Sequence, residues 1–281
     1  MNALELRNLT KQYDGFSLGP VNLALPSGCI MGFIGENGAG KSTTIKLILN
    51  LIRRDGGEIS ILGQTLNNKN PVLKEQIGVV MDESSFPDNL SMKNIDLILK
   101  NCYQTWSSEQ FFRYCKKFDI PEKKVIREYS RGMKMKLSIA VALSHDSRLL
   151  ILDEATSGLD PVVRDEILDV FLEFIQDERN SIFISSHIIS DLEKICDYIT
   201  FIHKGQILLS EEKDVLLEQY AIAHCTKEQF SALAADAVIG ARQSTFGVDA
   251  LVLRHRIPRD IASDPASLEE IMLYYVKDRQ I

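Results

Sequence analysis

Two short stretches carry residue types able to handle a phosphate anhydride. Gly35-Glu36-Asn37-Gly38-Ala39-Gly40-Lys41-Ser42 satisfies G-x-x-x-x-G-K-[ST] in full. Its glycines let the backbone wrap closely and aim N–H groups at phosphate oxygens. A helix opening near Lys41 would bring the positive end of its dipole to the same point. Lys41 offers a point charge to the β- and γ-phosphates and Ser42 a hydroxyl to Mg²⁺. Gly35, Asn37, Gly38, Ala39, Gly40, Lys41, Ser42 and Thr43 are therefore the candidate nucleotide-binding residues, with Lys41 also a candidate catalytic group. The second stretch, Leu149-Leu150-Ile151-Leu152-Asp153-Glu154, is an apolar run ending in two carboxylates. At the carboxyl edge of a parallel sheet that end faces a nucleotide crevice. Asp153 is expected to hold Mg²⁺ there, usually through water, and Glu154 to act as general base on the attacking water.

Such groups need a rigid frame, and the chain has the pattern for one. The apolar run Cys29–Ile34 leads straight into the glycine-rich turn, and Thr43–Leu51 follows with helical spacing of Ile45, Leu47, Ile48, Leu49 and Leu51. Strand, turn and helix in that order open an α/β unit with a parallel sheet. Ile77–Met81, Leu149–Leu152, Ser181–Ser185 and Tyr198–His203 are further strand candidates, with helical patterns over Pro161–Gln176 and Ser190–Cys196. Between Asp82 and Ser147 no strand-like alternation stands out. That stretch reads as a helical insertion, with Ser107–Lys117 and Met133–Ser144 its best helices. His203-Lys204-Gly205-Gln206 predicts a hairpin turn into Ile207–Ser210. Past about residue 220 the texture becomes Ala- and Ser-rich, with β-like runs at Val238–Arg242 and Phe246–Leu253 and a helix-like ending at Ser267–Val276. The expectation is a main domain over 1–220, its helical subdomain over about 82–147, and a small α+β extension over 221–281.

Composition narrows the function classes. The 281 residues are 45% hydrophobic and 25% charged, as in an ordinary globular chain, with a net charge of −7. That balance makes a poor phosphate-backbone binder, so no nucleic-acid partner is expected. The five cysteines, Cys29, Cys102, Cys115, Cys196 and Cys225, form no CxxC pair and read as reduced, mostly buried thiols. No apolar run approaches the roughly 18 residues a membrane span requires, and residues 1–13 lack the apolar centre of a signal peptide.

Further features fall into a known order, and with them the sequence resembles the ATP-binding cassette ATPases. Tyr129-Ser130-Arg131-Gly132-Met133 resembles that family's signature loop, usually Leu-Ser-Gly-Gly-Gln, and stands just before the last helix leading to the Asp-Glu strand. Ser157-Gly158-Leu159-Asp160-Pro161 is similar to the loop after the catalytic glutamate. Ser185-Ser186-His187 ends a strand like the family's switch histidine, and Tyr13 resembles the aromatic residue that stacks on adenine. The resemblance covers roughly residues 3–220. It implies a P-loop NTPase core of the ABC ATPase type with a helical subdomain, and an ATPase using ATP and Mg²⁺. Two cassettes would sandwich two ATP molecules, each held by one subunit's phosphate loop and by Ser130, Arg131, Gly132 and Met133 of the other. His187 would contact the γ-phosphate and the attacking water, and Asp160 would lie at the dimer seam. Ser130 also reads as an ordinary helix N-cap, the alternative to its trans-site role, and Asp160 as an N-cap whose role can coexist with the seam.

The sequence also departs from the pattern. The place of the family's usual Mg²⁺-reaching glutamine holds Asp82, followed by Glu83. Asp82 is expected to keep the metal and coupling role with altered metal dependence. Arg131 replaces a glycine and Met133 the glutamine of the signature; Arg131 would either add a cation near the partner's phosphate or point to solvent. These departures, with Ser267-Leu268-Glu269-Glu270-Ile271, resemble a bacterial branch that exports antibiotics and antimicrobial peptides. The implied partners are a membrane permease on a separate chain, docking near Phe86–Leu90, and a second cassette, the same chain or a related one. The implied location is cytoplasmic, peripheral on the inner face of the cell membrane. A non-transport cassette acting on ribosomes or DNA is the alternative.

Overall fold

A strand buried on both faces reads as an unbroken apolar run, and the central sheet is built from such runs. A computed structural model describes residues 1–65, 70–82, 86–245 and 247–276; Glu83 and Phe246 lie outside them. Three strands, β3 (Ile30–Ile34), β7 (Leu149–Asp153) and β8 (Ser181–Ser186), are buried at every residue. With β6 (Ile77–Val80), β9 (Tyr198–His203) and β10 (Gln206–Glu212) they form a six-stranded sheet of order β10-β9-β3-β8-β7-β6. The register is parallel from β9 through β6. The turn before β10 holds Lys204 (φ 45°) and Gly205 (φ 78°), both left-handed as a tight hairpin requires.

A second sheet, unforeseen in the sequence, covers one side of the core. β1 (Asn2–Tyr13), β2 (Phe16–Pro26), β4 (Gly56–Ile61) and β5 (Gln64–Thr65) pair antiparallel in the order β2-β1-β4-β5. Leu4, Leu6, Leu9 and Leu25 from these strands share one core with Phe33, Ile45, Ile151 and Phe183.

The helices are α1 (Lys41–Ile48), α2 (Pro71–Glu75), α3 (Met92–Cys102), α4 (Ser108–Lys117), α5 (Arg131–Ala142), α6 (Pro161–Phe174) and α7 (Ile189–Ile195). Among the described residues of the expected insertion the pairing is a single bridge, Ser91 to Val125, beside α3, α4 and α5. Two ion pairs tie that layer to α6: Lys117 to Glu173 at 2.6 Å and Lys136 to Glu166 at 2.6 Å.

Contacts divide the chain into Met1–Ile207 and Leu208–Ile281. The second unit holds α8 (Lys213–Gln219), β11 (Tyr220–Cys225), α9 (Lys227–Ala232), β12 (Val238–Ser244), β13 (Gly247–Leu253), β14 (Ala262–Pro265) and α10 (Leu268–Val276). Its antiparallel sheet runs β12-β13-β11-β14. Among the described residues the five cysteines form no disulfide, three of them are buried, and burial pushes the Cys115 thiol up to about 12.

Candidate active site

Because β3 is packed on both faces, its exit is fixed, and the loop from Gly35 to Gly40 leaves it at the carboxyl edge of the parallel sheet. Gly40 caps α1 with φ 113°, a region that side-chain-bearing residues avoid, and a Cβ there would stand 2.9 Å from Leu18. The loop is clipped from outside, since Gly205 N–H donates to the Ala39 carbonyl at 2.9 Å. The hairpin turn before β10 thus supports the phosphate loop. Lys41 is buried and folds back, donating to the Gly35 carbonyl at 2.7 Å and pairing with Glu154 Oε1 at 3.3 Å.

The β7 exit supplies the carboxylates. Asp153 is the last residue of its strand and stands in register with Ser185 of β8. Ser185 Oγ donates to Asp153 Oδ1 at 2.6 Å and accepts from the Glu154 N–H at 3.2 Å. Glu154 itself takes φ 53°, an unusual conformation for a residue other than glycine, which turns its carboxylate away from the strand direction. His187, just past β8, meets Glu154 through Nδ1 to Oε2 at 2.7 Å. Glu154 therefore stands between the loop lysine and the histidine, in contact with both.

A cleft of about 490 Å³ opens over these groups. It is lined by Asn37, Gly38, Gly40, Lys41, Ser42, Thr43, Asp82, Glu154 and His187 of the sequence candidates, with Arg131 entering from α5. Asp153 is buried behind Ser185; Gly35 and Ala39 belong to the inner turn of the loop rather than to the lining. Tyr13 is 48% exposed and lies outside the lining, whereas its register partner across the β1–β2 turn, Phe16, lines the cleft and approaches Gly40. Phe16, Glu36 and Ser157 of the lining, and Ser185 behind Asp153, are residues that sequence reading passed over as site members. A serine among apolar neighbours on a buried strand was the available signal for Ser185; for Phe16 there was none.

Ser130, Gly132, Met133 and Asp160 stand apart from this cleft. Ser130 caps α5, accepting from the Met133 N–H at 3.2 Å, and Asp160 caps α6, accepting from the Val163 N–H at 3.1 Å. Gly132 leaves ordinary van der Waals space around its Cα. Arg131, whose side chain is 55% exposed, has Nη2 bonded to Asp82 Oδ1 of its own chain at 2.7 Å. A second groove of about 720 Å³ lies beside it, lined by Met81, Phe86, Pro87, Tyr129, Lys134 and Met135 among others.

The oxygen donors fit Mg²⁺. Asp153 has Oδ1 engaged by Ser185, and the exposed Ser42 and Asp82 stand at the cleft wall. Among the described residues no cluster of three His, Cys, Asp or Glu could cage an ion alone. One or two carboxylates completed by phosphate oxygens and water is the coordination Mg²⁺ favours.

Comparisons with known proteins point to one family. The family model described as ABC transporter matches residues 18–157. The ABC transporter ATP-binding protein YtrB of Bacillus subtilis is 33% identical over 218 residues, 77% of this chain and 74% of its own. The bacitracin transport ATP-binding protein BcrA of Bacillus licheniformis is 35% identical over 209 residues, 73% of this chain and 68% of its own. A solved structure of the ATP binding subunit of an ABC transporter superposes with a TM-score of 0.69 at 27% identity, covering 77% of this chain and 92% of that one.

Proposed function

The chain belongs to the ABC transporter family as an ATP-binding, ATP-hydrolysing subunit, and on that premise we propose that it powers export through a separate membrane permease by ATP-driven pairing of two cassettes. Membership favours transport over the alternative of action on ribosomes or DNA. The observation that carries the mechanism is the placement of Glu154 between Lys41 at 3.3 Å and His187 at 2.7 Å, beside the phosphate loop.

In this reading the triphosphate lies on the N–H groups of residues 35–43, and Lys41 turns from the Gly35 carbonyl toward the β- and γ-phosphates. Phe16 and Tyr13, paired across one turn, are the aromatic candidates for the adenine. Mg²⁺, held through Ser42, Asp153 and Asp82, would neutralise phosphate charge. Glu154 accepts the proton of the attacking water, and His187, with a proton on each ring nitrogen, donates Nδ1–H to the Glu154 carboxylate and Nε2–H to the γ-phosphate. Ser130, Gly132 and Met133 at the start of α5 would close over the partner's phosphate, with Asp160 at the seam. The cap bonds leave the Ser130 hydroxyl its O–H to donate to a phosphate oxygen and leave Asp160 a second carboxylate oxygen to accept at the seam.

The permease reading is supported by the transport names of YtrB and BcrA and by the groove in which Met81, Phe86, Pro87 and Met135 stand beside Asp82, Asp88 and Lys134, a mixed lining that suits a short amphipathic helix from a partner. Among the described residues no helix is long and apolar enough to cross a membrane. The proposal assigns residues 1–220 to the cassette, about 82–147 to its helical subdomain and 221–281 to an accessory region, and places the assembly at the inner face of the cell membrane.

The test is sizing of wild type and Glu154→Gln with and without Mg-ATP, with phosphate release followed in parallel. The variant is expected to lose turnover by about a hundredfold or more and to shift to a dimer with ATP. A variant that hydrolyses as fast as wild type removes Glu154 from the base role. Binding without dimerisation means that pairing needs the permease or a different cassette as partner.

A further inference from the structure

Two of the departures of this sequence from its family pattern, Asp82 and Arg131, lie 49 positions apart in the chain and meet in space. Arg131 Nη2 bonds Asp82 Oδ1 at 2.7 Å, and both residues line the cleft that holds Lys41, Glu154 and His187. The guanidinium is confined on its other side by the loop at Gly158, where an added Cβ would stand 2.7 Å from Nη1 and 3.0 Å from Cζ. Arg131 is the first residue of α5, and Asp82 follows β6 closely, so the pair also joins the helical layer to the edge of the central sheet. A carboxylate facing a triphosphate repels it, and a planar, permanently charged guanidinium bound to that carboxylate cancels the repulsion while fixing its direction.

From this we propose that Arg131 is a positioning residue acting within its own chain: it neutralises Asp82 and aims it into the nucleotide cleft, so that the arginine of the signature and the acid in the glutamine place form one device. The inference rests on the reading of that cleft as the ATP site. It assigns Arg131 to the phosphates of its own subunit through Asp82, not to those of the partner.

Four proteins test it: wild type, Arg131→Met, Asp82→Asn and the double variant, with Arg131→Lys and thermal unfolding to control for folding. Affinity for a fluorescent ATP analogue is measured first in EDTA, where no divalent ion contributes. Arg131→Met, leaving an uncompensated carboxylate, should bind about three- to tenfold more weakly, and Asp82→Asn, leaving an uncompensated cation, more tightly by a similar factor. The double variant should return to within about twofold of wild type, and Arg131→Lys should keep most of the affinity. Turnover with Mg²⁺ then gives a second readout. Arg131→Met should lower kcat about tenfold beside Asp82 and less than about twofold in the Asp82→Asn background, because its effect passes through Asp82. Equal kcat losses in both backgrounds, or affinity shifts of the same sign in EDTA, overturn the inference. So does a weakened ATP-dependent dimer when Arg131→Met is added to Asp82→Asn and Glu154→Gln, which would place Arg131 on the partner's phosphate. Failure of wild type to bind the analogue at all sinks the ATP-site reading itself and is told apart by that control alone.

Discussion

Ser185 stands in register with Asp153, and one hydroxyl serves both carboxylate residues of the site. It donates to Asp153 at 2.6 Å and accepts from the Glu154 N–H at 3.2 Å. Both Ser185 and Asp153 are buried, so removal of the hydroxyl would leave a carboxylate oxygen short of a partner in a site with little water. Ser185→Ala is expected to cost about 1–3 kcal/mol of stability and to lower turnover roughly tenfold or more, as losses of supporting contacts around metal-binding carboxylates do. A thermal melt and a Mg²⁺ titration of phosphate release check it; an unchanged half-saturating Mg²⁺ concentration would show that Asp153 is held by other contacts. Lys41 was legible through the phosphate-loop motif and Glu154 through the apolar run that leads into it, whereas His187 was reached only through the resemblance to the cassette family. The Asp82–Arg131 bond was not, since no spacing rule links two side chains that come together only when a helical layer folds back onto a sheet edge.

At the scale of elements, legibility follows burial symmetry. The strands buried on both faces, β3, β7 and β8, are continuous apolar runs and were found with near-correct ends. β1 escaped because its alternation is broken: the β1–β2 register shifts at Asn2/Leu4, Leu6/Leu9 and Leu9/Lys11, and each shift moves side chains to the other face. The second unit begins before the change in composition near residue 220, since α8 packs on β11 of that unit while its own sequence still reads like the helices before it. Helix caps raise a separate question, because Asp160 is at once the cap of α6 and the candidate seam residue. Asp160→Ala should lose about 1 kcal/mol of monomer stability through the cap, whereas Asp160→Ser keeps an acceptor at the same place and should lose little. If the carboxylate also serves the seam, Asp160→Ser in the Glu154→Gln background should still weaken the ATP-dependent dimer, read by sizing across protein concentration. A dimer untouched by Asp160→Ser restricts the residue to its cap.

At the scale of the whole molecule, the two units carry histidines whose ionisation is driven in opposite directions. His145, in the first unit, is buried against Tyr103 with ring centroids 4.3 Å apart, and its Nδ1–H donates to the Glu75 carbonyl at 2.8 Å. Burial holds its pKa below the ordinary value, outweighing that hydrogen bond. His224, in the second unit, lies between two carboxylates, Nδ1 at 2.8 Å from Asp249 and Nε2 at 3.1 Å from Asp264, across β13, β11 and β14. Those hydrogen bonds, Asp249 first, raise its pKa. The unfolded chain titrates both near 6.5. Below that value an unfolded first unit takes up a proton that folded His145 refuses, so its stability falls as pH drops, by at most about 1.4 kcal/mol per pH unit. The His224 contribution is complete below about 6.5 and is lost as pH rises through the raised folded value; the site is open to solvent, so the loss stays below about 1 kcal/mol. Hydrogen exchange between pH 5 and 8, corrected for intrinsic rates, should therefore show amides of β7 and α5 losing protection toward acid and those of β11 and β13 losing it toward base. His224→Gln should flatten the second profile and leave the first unchanged. One common profile for both sets of amides would mean that the histidines do not govern the pH response of their own units.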